Sequence, residues 1–78
     1  MAFVKVKLYA VRWDHRAKQG RVNLWLENGS TDPRTPDVSI SGLDAAETAA
    51  MASIVKNERG DLYYDRNSND IATGVDPS

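Results

Sequence analysis

Two stretches of this 78-residue chain, residues 3–13 and 21–27, alternate as β-strands do and carry apolar side chains on both parities. Successive side chains of a strand point to opposite faces of a sheet, so each parity is one face. The even positions Val4, Val6, Leu8 and Ala10, with Val22, Leu24 and Leu26, make an aliphatic core face. The odd positions hold Lys5, Lys7, Tyr9, Val11 and Trp13, then Arg21, Asn23, Trp25 and Glu27, which puts both tryptophans on the opposite face. A fold built on these strands has two apolar surfaces to cover. A domain this small removes only about 60 % of its unfolded surface from water, so the second surface is the difficulty.

The rest of the chain supplies little to cover it. Gly42-Leu43-Asp44 leads into the single clear helix pattern, residues 45–58, where Asp44 is a good N-cap and Glu47 completes a capping box. Ala46, Ala50 and Ile54, flanked by Leu43, Met51 and Val55, form its apolar stripe, and Gly60 is placed to end it. At 1.5 Å per residue such a helix is about 20 Å long, enough for one face of a sheet. Short strands are expected at 37–41, at Leu62-Tyr63-Tyr64 and, as a returning edge, at Ile71-Ala72-Thr73. Loops fall at 14–20 and 31–37, with turns at Asn28-Gly29-Ser30 and Asn67-Ser68-Asn69. The expected fold is one α+β domain over residues 1–78, a four- to five-stranded, mostly antiparallel sheet in the order β-β-β-α-β with a short final strand. Residues 75–78 read as a loose tail.

Register decides which residues share the second face. Pairing Leu8 with Leu26, Ala10 with Leu24 and Arg12 with Val22 sets Tyr9 across from Trp25, Lys7 from Glu27 and Trp13 from Arg21. These are an aromatic pair, an ion pair and a cation–π contact. A tighter loop through Lys18-Gln19-Gly20 moves Trp13 across from Trp25 but sets Arg12 and Asp14 against leucines. Both registers keep the two tryptophans on one face. A β-bulge in the first strand instead turns Tyr9, Val11 and Trp13 toward the core.

Composition narrows the function classes. Apolar content of 41 % and charged content of 27 % suit an ordinary globular domain, and the absence of cysteine excludes disulfides and thiolate metal sites. No apolar run approaches the roughly 20 residues that span a bilayer, and the first residues lack a signal-peptide pattern, so a cytoplasmic protein without membrane contact is the expectation. Charge is segregated: residues 1–21 hold six basic residues against Asp14 alone, and residues 22–78 hold four against ten acidic ones. The lone histidine, His15, stands beside Asp14 in the basic loop with no nucleophile at any recognisable spacing. Neither a phosphate-binding glycine loop nor a nucleophile elbow occurs, and no enzymatic activity or cofactor is expected.

Residues 65–76 place Asp65, Asn67 and Asn69 at the first, third and fifth positions of a calcium-type loop. Asp70 stands where such a loop requires glycine, and Arg66 adds a positive charge. A turn in which Asx and Ser side chains cap their own backbone is the simpler reading, and no metal site is expected. The functional expectation is therefore a small interaction protein, a homodimer or an adaptor or inhibitor. It would dock through Tyr9, Trp13 and Trp25, with Lys7, Arg12 and Arg21 orienting the partner. Single-stranded nucleic acid, stacked on the same aromatics, is the alternative. The acidic pI of about 5.7 speaks against it.

Overall fold

A computed structural model describes residues 3–29, 31–56 and 61–74. Its elements are β1 (Val4–Asp14), β2 (Gln19–Leu26), β3 (Val38–Leu43), α1 (Ala45–Lys56), β4 (Asp61–Asp65) and β5 (Asp70–Gly74). They form a five-stranded antiparallel sheet in the order β3-β2-β1-β4-β5 with the helix between β3 and β4, the α+β arrangement expected. Three meandering strands followed by a fourth that returns to the free side of the first are a Greek key, to which β5 is added by a hairpin. The ends of the expected helix at 57–58, Gly60, Ser30 and the tail at 75–78 lie outside the described residues.

The first strand serves two partners. Val4 and Lys5 pair with Tyr64 and Tyr63 of β4, whereas Val6 to Asp14 pair with β2. Within the pairing to β2 the ladder slips. Val6 lies across from Leu26 but Leu8 across from Trp25, so Lys7 is an extra residue in β1, a β-bulge. Beyond it Tyr9, Val11 and Trp13 face Leu24, Val22 and Gly20. This corrects the expected register. Leu8 and Ala10 leave the core face, and Tyr9, Val11 and Trp13 take their place.

The turn is also shorter than expected. β1 and β2 run on to Asp14 and Gln19, and only residues 15–18 make the loop. Asp14 Oδ1 accepts the Arg16 and Ala17 amides at 3.0 and 3.1 Å, and Lys18 closes the turn at φ 57°. The β4–β5 hairpin repeats the device. Asp65 accepts the Asn67 amide at 2.9 Å and the Ser68 hydroxyl at 3.1 Å, Asn69 sits at φ 61°, and Asp65 pairs with Asp70. The segment weighed as a calcium loop is thus a self-capped turn of an antiparallel hairpin.

A second slip, between Gly20 and Val22, lets Leu43 as well as Ile40 and Val38 face inward from β3, with Gly42 at φ +72°. The core comprises Val6, Val22, Leu24, Leu26, Val55, Leu62 and Tyr64. The capping box forms as expected: the Glu47 amide donates to Asp44 Oδ1 at 2.7 Å and the Asp44 amide to Glu47 Oε1 at 3.0 Å. The buried face of α1 differs from the expected stripe. Thr48 and Val55 are buried and Met51, Ala52 and Ile54 half-buried, while Ala46 and Ala50 are exposed. Gly20 is the cause: without a side chain there, the helix seats Thr48 directly on β2, and the Thr48 hydroxyl is satisfied by the Asp44 carbonyl at 2.8 Å.

The sheet is coiled around this helix. In a flat five-stranded sheet the outer strands stand about 19 Å apart, and a helix is only about 10 Å across. Yet α1 touches both outer strands, and Ile40 and Leu43 of β3 share a cavity of about 360 Å³ with Ile71 of β5, roofed by Ala50 and Met51. The result is a half-open barrel with the helix in its mouth.

Candidate functional site

The corrected register redistributes the residues expected to bind a partner. Tyr9 and Trp13 belong to the helix side. The Tyr9 hydroxyl donates to the Val55 carbonyl at 3.4 Å, meeting one of the carbonyls left open at the helix end. Trp13 lies along a groove with Ala45, Thr48, Ala49 and Ala52, whose small side chains leave the ring room beside the helix. A helix of 12 residues does not hide these rings fully, and they remain 42 % and 40 % exposed. Trp25, Arg12 and Arg21 lie on the opposite, helix-free face, and Lys7 sits at the bulge. The two tryptophans therefore do not share a face, and Tyr9 and Trp13 are separated from Trp25.

What the helix-free face does present was missed in part by the sequence. Leu8, 51 % exposed, lies across from the half-buried Trp25, and Ala10 follows it across from Asn23. Trp25 Nε1 is shielded from solvent yet has no acceptor among the described residues. Toward the hairpin end Arg12 lies directly across from Arg21. Like charges so placed repel, and neither guanidinium has a hydrogen bond or ion pair among the described residues. The signal for this arrangement was present: the expected register set Arg12 across from Val22 on an aliphatic face, a mismatch that the bulge removes.

The two arginines line a concavity of about 450 Å³ with Gln19, Ser41, Asp14 and His15. His15 is held at the rim. The Trp13 indole N–H donates to its Nδ1 at 3.4 Å, and Lys18 Nζ lies 3.2 Å from Nε2. At the far end of the same face the charge reverses. Lys5 Nζ lies 3.3 Å from Asp61 and 4.0 Å from Glu27. The hydrogen bond to Asp61, and then the charges of Asp61 and Glu27, hold the Lys5 ammonium above its ordinary pKa of 10.5. The face thus runs from a basic end, through Ala10, Leu8 and Trp25, to an acidic end.

No cluster of three or more His, Cys, Asp or Glu side chains able to hold a metal occurs among the described residues, and no described helix is long and apolar enough to cross a membrane. Comparison with family models, with curated proteins and with solved structures finds no match to this chain.

Proposed function

We propose that this is a small non-enzymatic interaction module that docks a protein partner, another protein or a second copy of itself, on the helix-free face of its β1–β2 hairpin. The observation that carries this reading is the Arg12–Arg21 pair, with no ion pair among the described residues, on the same face as the exposed Leu8 and the half-buried Trp25. Trp and Arg dominate protein binding hot spots, and an apolar centre with a charged rim is the usual anatomy of an interface. Two like charges facing each other are tolerated at a cost that an acidic partner would relieve.

Single-stranded nucleic acid is the second reading. It is favoured by the half-open Greek-key barrel, an architecture that binds oligonucleotides in other chains, and by the basic hairpin tip of Arg16 and Lys18. Fold alone assigns no function, however, and stacking successive bases needs several rings on one surface. Division of Tyr9, Trp13 and Trp25 between two faces weighs against it.

A photoreactive benzoylphenylalanine at Ala10, compared with one at the exposed Ala46 on the helix, tests the reading in the cell that encodes the chain. A discrete protein adduct from position 10 alone is expected, and an adduct of twice the 8.6 kDa chain mass identifies the partner as a second copy. A nucleic-acid adduct selects the second reading. No adduct from position 10, or the same adducts from both positions, overturns both.

A further inference from the structure

Four polar side chains at the hairpin end converge on one concavity with their bonding capacity unused. Arg12, Arg21, Gln19 and Ser41 line the same cavity of about 450 Å³, and none of their side chains has a hydrogen bond or ion pair among the described residues. Several other polar side chains of the two hairpins are engaged. Asp14 and Asp65 hold their turns, Asn23 accepts from Ser39 at 2.8 Å, and Lys5 pairs with two carboxylates. Asp14 also lines the cavity, but its Oδ1 is committed to the Arg16 and Ala17 amides.

We propose that this pocket binds a phosphate monoester carried by a side chain of the docked protein. The proposal rests on the protein-docking reading above and names the chemistry that its basic end recognises. Two guanidinium forks from directly paired positions on neighbouring strands line the one cavity. A carboxylate has two oxygens in one plane and is satisfied by one fork. A tetrahedral phosphate monoester offers three oxygens and about two negative charges, which match two forks with a hydroxyl and an amide beside them. The dianion also converts the Arg12–Arg21 contact from repulsive to bridged. The pocket lies two residues along each strand from Ala10 and Asn23, so a chain covering Leu8 and Trp25 continues into it.

The test compares thermal stability and the Arg Nε–H resonances in chloride, acetate and inorganic phosphate at matched ionic strength, and then in a phosphoserine peptide and its unphosphorylated form. Phosphate is expected to raise the melting temperature saturably, to move the Arg12 and Arg21 signals, and to bind about tenfold more weakly to R12Q or R21Q, the loss of one charge-assisted bidentate contact. Ser41→Ala, which alters no charge, should weaken it to a smaller degree. The phosphopeptide should bind more tightly than inorganic phosphate. In chloride both arginine variants should melt no lower than the parent, because repulsion is removed. Equal responses to chloride and phosphate, or a phosphate response kept in both arginine variants, overturn the proposal. Tighter binding of a 5′-phosphorylated oligonucleotide than of the phosphopeptide overturns its protein-borne form. These failures leave the cross-link from Ala10 standing, and loss of that cross-link with the phosphate response intact removes the protein partner alone.

Discussion

Gly20 lies directly beneath Thr48, so close that a β-carbon at residue 20 would overlap the threonine hydroxyl and come within 2.7 and 2.8 Å of its Cγ2 and Cβ. The contact sets the height of the helix above β2 and explains why Thr48, not an alanine, is the buried residue of the first helical turns. Gly20→Ala is expected to destabilise the fold by about 1–3 kcal/mol through overpacking. Thr48→Ala removes the hydroxyl and the Cγ2, so the double variant should lose clearly less than the sum of the two single changes. Chemical denaturation of the four proteins measures this, and simple additivity would show that the helix does not rest on residue 20.

The bulge at Lys7 makes opposite demands on neighbouring residues. Val11 packs on the core and Leu8 does not. Val11→Asp should cost about 2–3 kcal/mol, from a half-buried carboxylate without a partner, whereas Leu8→Lys should stay within about 0.5 kcal/mol. Melting temperatures decide it. The reverse ranking would restore the unbulged register.

Lys18 closes its turn in the left-handed region, which costs a lysine backbone strain that glycine does not incur, and Asn69 holds the matching position in the sister hairpin. Lys18→Gly should therefore stabilise the protein by about 0.5–1 kcal/mol. A fall in the denaturation midpoint would place the backbone at residue 18 elsewhere.

The Lys5 ammonium is held above its ordinary pKa of 10.5 by Asp61 first and Glu27 second, so the folded chain keeps this proton more tightly than the unfolded one. The resulting stability is complete below that ordinary value and disappears as the pH rises through the higher folded value. At neutral pH the gap in melting temperature between the parent and Lys5→Met should be small, because the group is exposed. On alkaline titration the parent should converge on the variant. A gap unchanged above pH 10.5 would mean that the ion pair plays no part.

The number and order of elements were legible because each has local causes. Asp44 and Glu47 mark a helix start by chemistry that acts within one turn, and Asp65, Asn67 and Asn69 mark a turn in the same way. The candidate site was legible only by halves. Arg12, Arg21 and Trp25 do share a face, but Leu8 and Ala10 were assigned to the core and Tyr9 and Trp13 to the binding surface. The reason lies in β1 itself. Its apolar residues run Val4, Val6, Leu8, Ala10 on one parity and Tyr9, Val11, Trp13 on the other, so neither parity alone identifies the core. The structure uses the first parity before Lys7 and the second after it, a choice made by long-range pairing to Leu26 and Leu24. The inner stripe of α1 was misplaced for a related reason, since a stripe of alanines looks like a contact until one knows where Gly20 is.

The extra residue in β1 has a consequence for how this protein can vary. Because Lys7 is the extra residue between the Val6–Leu26 and Leu8–Trp25 pairs, it sets how the long run of β1 along β2 is turned relative to the strand's first residues, of which Val4 and Lys5 pair with β4. Substitution at most positions alters one contact, but insertion or deletion here would change the bend that lets the strand serve both. The shape of the barrel, and with it the surface turned outward, is written in the number of residues between Val6 and Leu8 and not in what those residues are.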